Sequence, residues 1–260
     1  MKVLFVGDII GKLGRKICDD LLPGLSREFE PDLMVVNGEN SAHGYGITEN
    51  IYKDLVEMGF GVITMGNHVW DKKDLVVNID KMPLLVRPAN YPPTVPGKDH
   101  IIVNVKGTRV GIINLSGRTF MQALDCPFRA AERIVAEIRK VTPLIIVDMH
   151  AEATSEKCAL AWFLDGKVSG VLGTHTHVMT ADERILPGGT AFISDIGMVG
   201  AYESIIGMNR TQILKRFVTQ LPEKFEPVDE GPGLFNAVVL EIDPQSGKAL
   251  KIERINRSNL

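Results

Sequence analysis

Five apolar runs in this chain each end directly in side chains that carry free lone pairs. Val3–Val6 leads to Gly7-Asp8, Leu33–Val36 to Asn37-Gly38-Glu39-Asn40, and Val62–Met65 to Gly66-Asn67-His68. Ile145–Val147 leads to Asp148-Met149-His150, and Val171-Leu172 to Gly173-Thr174-His175-Thr176-His177. Runs this short and this apolar are expected of strands covered on both faces. In open α/β sheets, ligands gather outside the carboxyl ends of the strands. The five polar turns are therefore expected to meet at one sheet edge.

The rest of the pattern completes the fold class. Further strands are expected at Ile101–Val105 and Val110–Asn114, with the others covering Lys2–Val6, Gly61–Thr64, Leu144–Asp148 and Val168–Leu172. Thr48 can cap a helix with Ile51, Leu55 and Val56 on its apolar face, ending at Gly59. A second helix carries Ile134, Val135 and Ile138. A third starts near Thr154 or Ser155 and stops at Asp165-Gly166, with Trp162-Phe163-Leu164 read as its core face. The last third turns to hairpins, Arg184–Leu186 with Thr190–Ser194 and Asn236–Ile242 with Ala249–Ile255. Strand–helix alternation that finishes in hairpins gives an α/β fold with mixed sheets. Two such sheets packed face to face with helices outside account for it. No linker interrupts the chain, although Pro88–Gly97 is a proline-dense loop, so one domain over residues 1–260 is expected.

Taken singly, each polar turn has an ordinary explanation: a turn aspartate, an Asx turn, a helix cap, a satisfied core histidine. His175-x-His177 is the strongest alone, because alternate residues at a strand end point the same way. The ordinary explanations fail for the set, since four of the six histidines would have to collect at strand ends by accident. Gly7, Gly38, Gly66 and Gly173 precede the candidate ligands by one or two residues, as expected where the backbone turns sharply and neighbouring loops approach closely. Imidazoles with carboxylate and carboxamide oxygens, and no cysteine, suit manganese, iron, zinc or cobalt. Asp8, Glu39, Asn40, Asn67, His150, His175 and His177 are too many ligands for one ion. A pair of ions bridged by a carboxylate fits the count.

These strings resemble the calcineurin-like metallophosphoesterase superfamily, in Gly7-Asp8, Gly38-Glu39-Asn40, Gly66-Asn67-His68, His150 and Gly173-Thr174-His175-Thr176-His177. Met65–Lys73, Asp148–Lys157 and Gly173–Val178 narrow the likeness to its bacterial YmdB-like branch. The resemblance implies a four-layer α/β/β/α sandwich and hydrolysis of 2′,3′-cyclic nucleotides, with iron or manganese at the centre. It further implies that Asp8, Asn40 and His177 hold one metal, that Asn67, His150 and His175 hold the other, and that Glu39 bridges them. A metal-bridging hydroxide would attack phosphorus while His68 protonates the leaving ribose oxygen. The superfamily's usual Asp-x-His motif has Ile10 at the histidine position here, and Glu39 stands where an aspartate is usual.

Bulk properties narrow the alternatives. A net charge of −3 gives no electrostatic case for a DNA scaffold or a membrane surface, while RNA as a substrate stays open. Three scattered cysteines and an N-terminus with only a short apolar run point to the cytoplasm. The expected partner is a small cyclic nucleotide, and self-association stays open. A phosphomonoesterase or nuclease on the same two metals, or a metal-binding regulatory protein, remain rival readings. His43 in its glycine-rich loop is read as surface, and Arg118 as either a phosphate contact or a solvated arginine.

Overall fold

The computed structural model describes residues 1–258 of the chain. The chain first lays down β1 (Lys2–Ile9), α1 (Gly11–Phe29), β2 (Leu33–Asn37), α2 (Glu49–Glu57), β3 (Val62–Thr64), α3 (Lys73–Asn78) and β4 (Leu85–Val86). It then builds a second sheet from β5 (His100–Val105), β6 (Thr108–Ser116), α4 (Pro127–Ile138), β7 (Ile145–His150), α5 (Thr154–Leu164), β8 (Gly170–Thr174), β9 (Arg184–Ile185) and β10 (Ala191–Ile193). Finally it returns to the first sheet with β11 (Met198–Ala201), α6 (Arg210–Thr219), β12 (Gly233–Ile242) and β13 (Ala249–Ser258). The first sheet runs β13-β12-β11-β1-β2-β3-β4 and the second β5-β6-β7-β8-β10-β9. In the first sheet β11, β1, β2, β3 and β4 pair in parallel, whereas β12 pairs antiparallel with β1, β11 and β13, so the sheet is mixed.

Side-chain alternation sorts each strand between two cores. Leu4, Val6, Val36 and Ile63 face α1 and α2, while Val3, Phe5, Val35 and Val62 face the second sheet. From the other side, Ile112, Ile146 and Leu172 meet them, and Ile113, Val147 and Val171 pack under α4 and α5. That is the α/β/β/α sandwich in four layers. Each fully buried aliphatic side chain contributes about 1.5–3 kcal/mol, so doubly covered strands are the most strongly specified elements.

Local chemistry explains the helices. Thr48 caps α2 by accepting the Ile51 N–H, and Gly59 follows the helix with φ of 99°. α5 begins at Thr154 but its cap position is Ala153, with no side-chain cap. Trp162 is 55% exposed, so only Leu164 of the Trp162-Phe163-Leu164 run is fully in the core. The reading of that run as a core face is corrected, because the helix turns Trp162 away from β8. The structure adds α1, β4, β11, α3 and α6 to the elements expected from the sequence. α1 has no side-chain cap and carries Pro23 in its interior, both of which read locally as a break.

Candidate metal centre

All five polar turns reach the same edge of the sandwich. Asp8 lies near the end of β1, opposite Met198 and beside Asn37 at the end of β2. His150 ends β7 and pairs with Thr174, the last residue of β8. The two sheets meet through these ends: His150 Nε2 lies 2.9 Å from Glu39 Oε1 and 3.1 Å from Asn67 Oδ1. His175 Nδ1 lies 3.0 Å from His150 Nε2. Glu39, His150 and His175 form a group whose ligand atoms all lie within 4.8 Å of one another. Asp8 is joined to it by accepting the His175 N–H at 3.2 Å on Oδ2.

The glycines are there for closeness. None of Gly7, Gly38, Gly66 or Gly173 has a positive φ, so backbone freedom is not the reason for them. A Cβ at Gly66 would sit 2.3 Å from Glu39 Oε2 and from His150 Nε2. One at Gly7 would lie 1.9 Å from the Gly197 carbonyl oxygen, and one at Gly173 1.8 Å from that of Ser194. Side chains at these positions are incompatible with the meeting of the loops.

Each histidine has one nitrogen anchored from outside, which fixes the other. The Thr174 hydroxyl donates to Asp148 Oδ1, so its oxygen accepts from His150 Nδ1 at 2.9 Å and leaves the His150 Nε2 lone pair facing inward. His177 Nδ1 donates to the Ile206 carbonyl at 2.9 Å, leaving Nε2 as its acceptor. His175 Nε2 meets Glu152 Oε2 at 3.1 Å, which directs Nδ1 toward His150. Outer partners of this kind set the tautomer and basicity of metal-binding imidazoles. Asp148, Thr174, Thr64 and Asn37 form the outer layer, with Thr64 and Asn37 both donating to Asp148 Oδ2. Sequence reasoning missed Asp148 as the anchor of a ligand, because its only signal is the place two residues before His150.

The electrostatics call for a cation. The inward nitrogens of His150 and His175, aimed at each other beside the Glu39 carboxylate, repel unless a proton or a metal ion lies between them. Asp8 Oδ1 and Asn40 Oδ1 are buried and, among the described residues, accept no hydrogen bond. Orphaned buried oxygens are costly, and a metal ion satisfies them. Burial holds the Asp8 carboxyl well above the usual range, and Asp195, Glu39 and Asp148 add repulsion. Burial alone would also raise Glu39, but His150 and the His68 N–H pull it down to about 2. Burial would lower His150, and Glu39 lifts it instead to about 9. Burial and the neighbouring His150 push His175 down to about 3, and burial lowers His177 as well. The donor set fits divalent metal binding.

The other sequence candidates fall as follows. Asn40 is buried, with its amide nitrogen donating to the Gly44 carbonyl and its oxygen left over for a ligand. His68 is set back from the cluster: its N–H donates to Glu39 Oε2, and its Nδ1 lies 2.7 Å from Asp71 Oδ2. Its ring packs edge-on against Tyr45 at 5.0 Å. Ile10 is buried at the start of α1. His43 and Arg118 are exposed. The expectation that His175 and His177 project from a strand end is corrected. Both lie beyond β8 with φ of 102° and 66°, in a tight loop that aims their rings. Non-glycine residues held at positive φ cost about 1–3 kcal/mol each and collect at functional sites.

Among known proteins, a curated relative from Bacillus subtilis (strain 168), 2′,3′-cyclic-nucleotide 2′-phosphodiesterase, is 52% identical over 255 residues, covering 98% of this chain and 96% of the relative. A crystal structure of a hypothetical protein from Thermus thermophilus is 40% identical, with a TM-score of 0.93 and full coverage of both chains. A crystal structure described as a novel phosphatase of Mycoplasma pneumoniae is 37% identical, with a TM-score of 0.92, covering 99% of this chain and 93% of that one. The family model described as YmdB-like protein matches residues 4–255, and with this match and these relatives the chain belongs to the YmdB-like family.

Proposed function

We propose that this chain, a hydrolase of phosphoric ester bonds, is a two-metal phosphodiesterase that opens 2′,3′-cyclic nucleotides. The observation that supports this best is the convergence of Asp8, Glu39, Asn40, Asn67, His150, His175 and His177, with two buried oxygens that have no hydrogen-bond partner among the described residues. The substrate follows the name of the Bacillus subtilis relative. We assign Asp8, Asn40 and His177 to one ion, Asn67, His150 and His175 to the other, and Glu39 between them, with manganese or iron as the metals. When bound, such ions supply an activated water and neutralise charge on the phosphoryl oxygens.

The chain's own residues do the rest. Asp71 accepts from His68 Nδ1, which fixes the orientation of the ring. His68 Nε2 is then left to face the substrate cavity, which His68 lines together with Glu39, Asn40 and His177. As water adds to phosphorus and the P–O2′ bond breaks, the protonated His68 ring gives its Nε2 proton to the departing ribose oxygen. One water hydrogen stays with the new phosphate monoester and the other restores the ring. Because the His68 N–H also donates to Glu39 Oε2, acid and metal centre are held in one register.

Replacing His68 by Ala is expected to cut kcat about 10²–10⁴-fold while metal content, measured by elemental analysis, stays unchanged. Full activity in that variant would reject the acid assignment. The substrate is tested by comparing 2′,3′-cyclic AMP, 3′,5′-cyclic AMP, a generic phosphodiester and a generic phosphomonoester with manganese or iron present. The expected result is preference for 2′,3′-cyclic AMP. Preference for the monoester, the reading suggested by the Mycoplasma pneumoniae phosphatase, would overturn the diesterase assignment.

A further inference from the structure

The candidate metal centre opens into a cavity with an apolar wall. This cavity, of about 410 Å³, is lined by Glu39, His68, His175 and His177 from the candidate metal centre, and by Ile206, Met208, Phe217 and Phe225 from α6 and the segments flanking it. Its size is that of a small-molecule site. Three features show that the apolar wall is built and held. Ile206 sits at φ of 48°, a left-handed conformation that β-branched residues rarely adopt. Its carbonyl is the acceptor that fixes His177, so the wall and the candidate ligand move as one. The Arg216 guanidinium lies 5.5 Å from the centre of the Phe225 ring, and Phe217 keeps 70% of its surface exposed beside it. Phe217 belongs to none of the hydrophobic clusters of the fold.

We propose that Ile206, Met208, Phe217 and Phe225 form a subsite for the aromatic base of the substrate, with its phosphate at the metal centre. This rests on the phosphodiesterase reading for the phosphate, and the apolar wall is argued independently of it. A cavity lined both by ionisable ligand residues and by two phenylalanines fits a ligand that carries a phosphate and a flat apolar ring. Stacking on Phe217 and Phe225 tolerates any base, so weak discrimination between purines and pyrimidines follows.

The test compares 2′,3′-cyclic AMP with methyl riboside 2,3-cyclic phosphate, which carries the same ester and no base. Wild type, Phe217→Ala and Phe225→Ala are assayed with manganese, and adenosine binding is measured by calorimetry. The wild type is expected to show a KM for the nucleotide about tenfold below that for the base-free ester. Both variants are expected to lose that advantage with kcat nearly unchanged, to keep the wild-type KM for the base-free ester, and to bind adenosine at least several-fold more weakly. Equal KM values for both esters in wild type, or equal losses on both in the variants, would overturn the subsite. A wild type that binds adenosine but hydrolyses neither ester would keep the subsite and reject the phosphodiesterase reading. One that hydrolyses both equally and binds no adenosine would do the reverse.

Discussion

Glu39→Gln is expected to lower kcat on the order of 10³-fold and to lose most of the bound metal, with the protein still folded. The substitution preserves shape and removes one charge. Glu39 Oε1 lies 2.9 Å from His150 Nε2, and its second oxygen takes the His68 N–H, so this one carboxylate touches both the metal cluster and the proposed acid. Glutamine can still accept one of these contacts through its single carbonyl oxygen. Its amide hydrogens must then point at the other partner, either the His68 N–H or a metal ion, and neither can accept a hydrogen bond. The charge balance changes as well. Glu39 is the carboxylate that pairs with His150, whereas burial holds the Asp8 carboxyl well above the usual range. Elemental analysis, kcat and thermal melting on one preparation check this. Retention of full metal content with normal turnover would show that Glu39 is not the bridge. A Gln variant that fails to fold would be distinguished from one that merely lacks metal by its melting curve without added metal.

Much of this centre is legible in the sequence because its parts lie where strand ends must put them. Val3, Leu4, Phe5 and Val6 are all buried, alternating between two cores, and a strand covered twice can end only in a turn at the sheet edge. Asp8, Glu39, Asn67 and His150 inherit their positions from that geometry. What is not legible depends on partners distant in sequence. β11 is a four-residue strand between β1 and β12, and its pairings with Asp8 and Ile9 on one side and with Gly233 and Leu234 on the other make it a strand. α6 is capped by Asn209, which accepts from Thr211 and Gln212, but its exposed Leu214, Phe217 and Val218 give no inward face to recognise. Asp148 precedes a candidate ligand and reads locally as an exposed strand-end acid. It is fully buried, held by Thr64, Thr174 and Asn37 from three other segments. The positive φ values of His175 and His177 are invisible for the same reason, since the contacts that hold the loop come from Asp8, Asp195 and Ile206.

Lys157→Met is expected to destabilise the protein by roughly 3–5 kcal/mol, a melting point lower by about 10 °C or more. Lys157 lies on the buried face of α5 with Leu160, Ala161 and Leu164, where a lysine is out of place unless paired. Its Nζ meets Asp195 Oδ2 at 2.7 Å, and both side chains are within 2% of complete burial. Methionine fills the volume but leaves a buried carboxylate without its counter-charge. That carboxylate also accepts the Thr176 N–H at 3.0 Å and the Gly197 N–H at 2.8 Å. The first contact lies between His175 and His177, so the cost reaches the loop that carries these candidate ligands as well as the core. Activity is therefore expected to fall with stability, through weaker metal retention. Adding Asp195→Asn to Lys157→Met removes the stranded charge and is expected to recover part of the loss. It cannot recover all of it, because asparagine has one acceptor oxygen for two backbone donors. Melting curves of the two single variants and the double variant complete the cycle. A Lys157→Met protein within about 1 kcal/mol of wild type would show that the pair is dispensable, because breaking a buried ion pair on one side is among the costliest single changes.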